Sequence, residues 1–323
     1  MRTLSPAAPR RLPALAAALL AACGDPSGPP TNDPILLVGR LRVVDSVFGD
    51  RVLQTSTILG LAFQPPRESG RVLADSVLGR TFEWDPGAGR YDLTARAGAP
   101  GDGVRHVLYQ VTGTEPVLPL AEIGTTDYRP GTGATPAVRT VVRGGGASGS
   151  SGADLLVTAT VGTGAAYIDA SGAVRSAGRD GTLHARFAIE PDSARVDVAL
   201  DLPARALATR AIVLTRFRPA GSVQEVDFRL HTHGEVMTMQ GWIERVDGPA
   251  GSSYTADVTL YLNGRVLATI IGVDREIKFR DAEGAVLTGT LALALNNFLR
   301  YPGSLQGWVG TLIQPSVNLL AGD

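Results

Sequence analysis

The stretch that decides the fold is TLHARFAIEPDSARVDVALDL, residues 182–202. Apolar side chains recur there at every second position in two runs, Leu183, Ala185, Phe187 and Ile189, then Val196, Val198, Leu200 and Leu202. Successive side chains of a strand point to opposite faces, so each run predicts a strand with one apolar face. The turn formers Pro191, Asp192 and Ser193 lie between the runs. The stretch therefore predicts an antiparallel hairpin with one buried and one solvated face.

The same alternation continues towards the C-terminus in Ile212–Arg218, Val223–Leu230 and Val236–Ile243. Further along, Val258–Leu262 and Arg265–Ile271 flank the dipeptide Asn263-Gly264. Asn-Gly is the strongest short hairpin signal, because both residues readily take the positive φ that a tight hairpin turn requires. The second half of the chain is therefore predicted to be a series of hairpins.

The N-terminal half contains shorter strand-like segments. We predict strands at Val38–Val43 and Val52–Phe63, and a hairpin made of Thr81–Trp84 and Tyr91–Thr94. The clearest break in composition is GGGASGSSG, residues 144–152. As a linker it would separate an N-terminal β unit, residues 35–143, from a C-terminal unit, residues 153–323; the alternative is a loop inside one large β domain.

The period of the apolar pattern changes near the C-terminus. Apolar residues recur at helical spacing in two groups, Leu291, Ala294, Leu295, Phe298 and Leu299, then Leu305, Trp308, Val309, Leu312 and Ile313. Pro302-Gly303 lies between the groups, which predicts two helices near residues 290–300 and 304–314. The predicted fold class is β-rich α+β, with an antiparallel hairpin sheet or sheets of sandwich or open-barrel type and a C-terminal helical pair.

The first residues have the layout of a secretory signal. Arg2, Arg10 and Arg11 precede the apolar run Leu12–Ala22, which at about 1.5 Å per residue is too short to span a bilayer core of about 30 Å. Leu20-Ala21-Ala22-Cys23 resembles the lipobox of bacterial lipoproteins. The resemblance implies removal of residues 1–22, lipidation of Cys23, and residues 23–34 as a lipidated tether.

A lipoprotein of this kind would lie in the cell envelope, anchored to a membrane through its N-terminal acyl chains. In enteric lipoproteins an acidic residue directly after the lipidated cysteine retains the protein at the inner membrane. Gly24 follows Cys23 here, which favours the outer membrane and leaves open which face of it. Because Cys23 is the only cysteine, no internal disulfide is expected. The net charge of −1 and the lack of a basic stripe argue against a nucleic-acid partner.

One cluster in the sequence has the residue types of a metal site. His231, His233 and Glu235 would share one face of a strand and converge as zinc ligands do. The competing interpretation is that His233-Gly234 forms a hairpin turn, which would separate the three side chains. Asp197 and Asp201 alternate on one predicted face and could act as a pair of catalytic carboxylates, although such residues more often form a solvated surface. We predict neither a bound metal nor another cofactor.

The function expected from these features is a non-enzymatic binding or scaffolding module of the envelope, with a hydrophobic small molecule or an envelope protein as partner. An apolar ligand groove could be lined by helical residues, Leu291, Leu295, Phe298, Leu305, Trp308 and Leu312. The alternative for these residues is a dry core. Two other functions stay open, a metal-dependent hydrolase using His231, His233 and Glu235, and a surface adhesion module.

Overall fold

The computed structural model describes residues 33–63, 71–132, 135–145, 151–176, 179–249, 251–274 and 276–321. Its helices are α1 Pro34–Gly39, α2 Leu41–Phe48, α3 Arg51–Ala62 and α4 Gly289–Ala321. Its strands are β1 Arg80–Asp85, β2 Arg90–Thr94, β3 Val104–Tyr109, β4 Val111–Thr112, β5 Glu115–Pro116, β6 Glu122–Pro130, β7 Ala137–Gly144, β8 Gly152–Gly162, β9 Ala165–Ser176, β10 Arg179–Ile189, β11 Ser193–Leu202, β12 Leu207–Arg218, β13 Gly221–Thr232, β14 Glu235–Gly248, β15 Gly251–Leu262, β16 Arg265–Val273 and β17 Glu276–Arg280. The predicted class, β-rich α+β, is confirmed.

Fifteen of the described strands form one open sheet, in the order β17-β16-β15-β14-β13-β12-β11-β10-β9-β8-β7-β6-β3-β1-β2. From β6 to β17 each strand pairs antiparallel with the next one along the chain. The pairing of β1 with β3 is parallel, which makes the sheet mixed. The predicted series of hairpins is confirmed, and it forms a single sheet whose edges are β17 and β2.

Tight turns connect the hairpins where the sequence predicts them. Asn263 and Gly264 have φ values of 50° and 78°, as a two-residue hairpin turn requires. His233 and Gly234 form a turn of the same kind, with φ values of 48° and 82°. The interpretation of His233-Gly234 as a turn between two strands is therefore confirmed.

Helix α4 crosses the sheet from one side to the other. It has 33 residues, so it is about 50 Å long at about 1.5 Å per residue. The twelve strands from β6 to β17 span a similar width, about 53 Å at about 4.8 Å per strand. Leu287, just before the helix, hydrogen-bonds Phe279 in β17, and Ser316 near its end hydrogen-bonds Thr140 in β7. α1 and α3 pack against α4, and this helical layer buries the main core against the sheet.

The prediction of two C-terminal helices was wrong, because α4 continues through Pro302 and Pro315. A proline inside a helix removes one backbone hydrogen bond and costs about 3 kcal/mol. The apolar stripe on both sides of Pro302 includes Leu295, Phe298 and Leu305, which are fully buried against the sheet. Burial of each such side chain contributes about 1.5–3 kcal/mol, so the packing outweighs the cost of the proline.

The predicted strands at Val38–Val43 and Val52–Phe63 were also wrong, since both segments are helical. Aspartate caps mark the starts, because Asp33 accepts a hydrogen bond from the Ile35 amide and Asp50 accepts one from the Val52 amide. The buried residues of α1 and α2 follow a helical spacing, Leu37, Val38, Leu41, Val44, Val47 and Phe48. The β-branched valines obscured this period in the sequence.

Residues 144–152 do not divide the sheet. The described residues on either side belong to β7 and β8, which pair with each other with Arg143 opposite Gly152. The proposed units, residues 35–143 and 153–323, therefore contribute to one continuous sheet.

Candidate functional site

The inner face of the sheet, defined as the face that packs against α4, is covered over only part of the length of its strands. In β12, Leu207 and Ala211 are buried, whereas Phe217 at the other end is 49% exposed. In β10, Leu183 is buried and Ile189 is 49% exposed. The 12 residues of β12 span about 40 Å, about four times the width of one helix. The helical layer therefore leaves one end of the inner face uncovered.

The uncovered part begins at a row of apolar side chains that lie directly opposite one another on β9 to β13. We call it the apolar row, and it consists of Ile168, Phe187, Val196, Val213 and Val226. Directly opposed side chains have Cβ atoms about 5 Å apart, so neighbouring members of the row are in reach of one another. Most of the row is only half-buried, and Ile168, Phe187, Val196 and Val226 pack on the edge of the main core.

Beyond the apolar row, the last inner-face positions are open to solvent. Val161 at the end of β8 is 73% exposed, and Ile189 on β10 is half-exposed. On the β13 and β14 side, Gln224 lies at the level of Ile189, and two positions further along the strands Arg245 donates to Asp247 at 2.8 Å. The uncovered surface is thus apolar on one side and polar on the other.

The six residues predicted to line an apolar groove lie along α4. Leu295, Phe298, Leu305 and Leu312 are buried in the main core, and Leu291 and Trp308 are half-buried against it. Trp308 stacks on Phe48 with ring centroids 5.4 Å apart. These residues pack the helical layer onto the sheet, and Trp308 and Leu312 also border a small depression of about 180 Å³ beside Phe48. The open apolar surface lies farther along the strands.

The three predicted metal ligands are separated by the sheet and its turn. His231 is exposed on the face opposite the helices, between the buried residues Leu230 and Thr232. Glu235 is 3% exposed and lies on the inner face, and His233 occupies the turn. No group of three His, Cys, Asp or Glu side chains within the described ranges is arranged to hold a metal ion.

Glu235 instead belongs to a buried polar contact that sequence reasoning missed. The guanidinium of Arg40, which follows α1, lies 3.9 Å from the Glu235 carboxylate, and the two side chains are 11% and 4% exposed. Arg40 also donates a hydrogen bond to the Thr232 hydroxyl at 3.2 Å. A buried carboxylate without a cationic partner would be strongly destabilising, so Arg40 joins α1 to the β13–β14 turn.

The carboxylates considered as a catalytic pair lie on the outer face, defined as the face opposite the helices. Asp197 accepts two hydrogen bonds from Arg210, at 2.9 and 2.6 Å, and these bonds hold the pKa of its carboxyl below the usual range. Such a carboxylate stays ionised and is a poor general acid. Asp201 is exposed two positions further along the same face. The pair therefore resembles a solvated ion-paired surface more than a hydrolytic centre.

Cys23 and the lipobox residues lie outside the described residues. Within the part of the chain that the structure describes, no helix combines the length and hydropathy needed to span a membrane. No family model matches the sequence, and comparisons with curated proteins and with solved structures gave no match.

Proposed function

We propose that this protein is a membrane-anchored, non-enzymatic binding module that holds an aliphatic ligand on the uncovered part of its inner face. The observation that carries the proposal is the apolar row, in which the pattern of the core continues past the end of the helical layer. Monomeric soluble proteins seldom leave such contiguous apolar surface open, and where they do it usually marks an interaction site.

The dimensions favour a long aliphatic chain. The apolar row crosses five strands, a distance of about 19 Å at about 4.8 Å per strand. Acyl chains fill about 15 Å in one leaflet of a bilayer, so a single extended chain could lie along the row. Its polar end would meet the side where Gln224 and Arg245 lie, and its methyl end would meet Val161 and Ile189.

The proposed anchor is the lipid on Cys23, joined to the fold by the tether that ends at α1. Arg40, directly after α1, contacts Thr232 at the covered ends of the strands. A membrane anchor reaching α1 from Cys23 would therefore attach at the end of the sheet farthest from Phe217. The uncovered apolar surface would face away from the anchoring membrane, where a ligand can reach it.

The first experiment measures binding of the fluorescent fatty acid cis-parinaric acid to the mature chain. We expect saturable binding, and we expect Ile189→Asp, next to Phe187 of the row on the same face of β10, to weaken it about tenfold, because a charge replaces apolar contact. Ile189 is half-exposed, so the substitution should leave the core intact.

A matched control is Ile271→Asp, which makes the same change at an Ile that is 60% exposed on the outer face of β16. It should bind the probe like the wild-type chain. Equal affinities for Ile189→Asp and Ile271→Asp would refute the inner-face site. Light scattering on the same samples tests the competing occupant, since a dimer that Ile189→Asp dissociates would mean that a second copy covers the face.

The anchor is tested separately in cells that express the full precursor. The wild-type protein should incorporate labelled palmitate and sediment with membranes, whereas Cys23→Ser should do neither. Membrane association of Cys23→Ser equal to that of the wild type would contradict lipid anchoring. This result would not bear on the proposed ligand site, because the anchor and the ligand site depend on different residues.

A further inference from the structure

Four apolar side chains are exposed on the helical layer, at the start of α1 and around the start of α4. Ile35 and Leu36 lie in the first turn of α1, Val286 precedes α4, and Leu293 lies in the second turn of α4. α1 packs against α4, and Leu293 borders a first depression together with Ile35 and a second depression together with Val286. We call these four side chains the contact patch.

The contact patch lies where the tether joins the fold. Asp33, the first described residue, caps α1 and accepts a hydrogen bond from the Ile35 amide at 2.8 Å. Asp33 comes ten positions after Cys23, so even a fully extended tether reaches at most about 36 Å. A lipid on Cys23 would therefore keep the patch close to a membrane. At the high effective concentration that a short tether gives, even a weak contact is occupied.

Charged groups near the contact patch are few and nearly balanced. Arg42, Asp45 and Arg300 border the first depression, and Asp33 lies at the start of α1. Lys278 borders the second depression. α4 contributes no acidic residue, and Arg300 is its only charged residue. Apolar contact rather than charge must therefore hold a partner here, while the long stems of the arginines let their charged ends stay at a polar boundary.

We propose that the contact patch lies against a phospholipid bilayer, with its four apolar side chains in the headgroup region and the guanidinium groups of Arg42 and Arg300 at the level of the phosphates. The inference rests on the lipid anchor proposed at Cys23. Shallow insertion of apolar side chains at the headgroup boundary is enough for a peripheral contact. A second copy of the chain fits less well, because a specific protein interface needs about 800 Å² per partner, more than four partly exposed side chains offer.

The test uses the mature chain, made without acylation and coupled through the thiol of Cys23, its only cysteine, to a maleimide lipid in phosphatidylcholine vesicles. Leu293→Trp adds a fluorophore to the patch, and Leu118→Trp adds one between β5 and β6; the two leucines are 68% and 63% exposed. Brominated lipids should quench the emission that Leu293→Trp adds and leave that of Leu118→Trp unchanged, because bromine quenches only at close contact. No quenching in Leu293→Trp, or equal quenching in both variants, would overturn the proposal.

A second substitution tests whether apolar side chains hold the patch on the bilayer. Leu36→Asp, combined with Leu293→Trp, should remove most of the quenching, because a charge replaces an apolar contact. Leu156→Asp in the same background is the matched control, since Leu156 on the outer face of β8 is 44% exposed and Leu36 is 45% exposed. Circular dichroism checks the fold of both chains. Equal quenching in the two chains would contradict a defined patch.

Two further outcomes are separated by the design. Light scattering without vesicles tests the other occupant, because a dimer that Leu36→Asp dissociates would mean that a second copy covers the patch, which would overturn the proposal. Chemical coupling at Cys23 also makes the quenching independent of acylation in cells. Missing palmitate incorporation would therefore refute the anchor, whereas missing quenching in the coupled chain would refute the contact patch alone.

Discussion

His106 lies in the middle of β3 with its imidazole completely buried. Its ring stacks on Phe63 at a centroid distance of 4.8 Å and meets the edge of Tyr91 at 3.9 Å. Neither ring nitrogen has a hydrogen-bond partner among the described residues. Burial without compensation lowers the pKa of His106 to about 3, from an ordinary value of 6.5. The imidazole is therefore held neutral in the folded protein.

This neutral histidine makes stability depend on pH. The unfolded chain binds the proton between about pH 3 and 6.5 and the folded chain does not, so stability contributed by the neutral form is lost as pH falls through this window. The slope is about 1.4 kcal/mol per pH unit for one proton. We expect His106→Leu to flatten the pH profile of the unfolding free energy, measured by urea titration.

The exposed His184 supplies the control for this prediction. His184→Ala is the matched change, because it removes a histidine that is exposed on the outer face and lies outside the buried ring cluster around His106. Comparing each variant with the wild-type chain removes the contribution of the carboxylates to the pH dependence of the unfolding free energy, because the same carboxylates titrate in every chain. An unchanged slope in His106→Leu would show that His106 does not control acid stability.

At the scale of single elements, Asp50 connects α3 to the sheet. One carboxylate oxygen accepts a hydrogen bond from the Val52 amide and caps the helix. The other accepts hydrogen bonds from the hydroxyls of Ser151 and Ser176, at 2.8 and 2.9 Å. These serines lie next to β8 and at the end of β9, so one side chain fixes a helix start against two strands.

We expect Asp50→Ala to destabilise the protein by about 1–3 kcal/mol, because it removes the cap and the acceptor of the Ser151 hydroxyl, while the Ser176 hydroxyl keeps only the Ser46 carbonyl at 3.2 Å. Asp33→Ala, at the exposed start of α1, should cost less, about 0.5–1 kcal/mol. Urea denaturation measures both. Equal losses in the two variants would mean that the contacts of Asp50 with Ser151 and Ser176 contribute nothing.

The sequence predicted strands more reliably than helices. Strands such as those of residues 182–202 show their period directly, because one face is solvated and the polar residues alternate. In α1 and α2 the helical period is masked by β-branched residues, and only the aspartates before Pro34 and Arg51 marked the helix starts. α4 was divided in error at Pro302, because the packing that overrides a proline involves strands far away in sequence.

At the scale of the whole molecule, the two faces of the sheet differ in chemistry. The outer face carries ion pairs between neighbouring strands, including Arg139 with Asp154, Arg186 with Asp169 and Arg210 with Asp197. Exposed pairs of this kind contribute little to stability. They mark a face adapted to water, whereas the inner face stays apolar beyond the helices on the side of β8 to β11. This difference between the ion-paired outer face and the apolar inner face favours an apolar ligand on the inner face.

The location of that site could not be predicted from the sequence. The apolar alternation of Phe187, Ile189 and Val196 is visible there, and it predicts correctly that these side chains share one face. How far a helix covers that face depends on the path of α4, which is a property of the assembled fold. The sequence pattern therefore indicated the apolar character of the site, while most of the helix residues suggested as its lining are buried in the core.

Photo-crosslinking of the mature chain with a fatty acid that carries a diazirine on its aliphatic tail, followed by peptide mapping, tests whether an aliphatic chain binds the inner face. We expect adducts on the uncovered inner-face ends of β8 to β13, on peptides that contain Phe187, Val196 or Val213. An excess of unlabelled fatty acid should suppress these adducts. Adducts confined to the outer face around Ile271, or spread without preference over the chain, would contradict binding to the inner face.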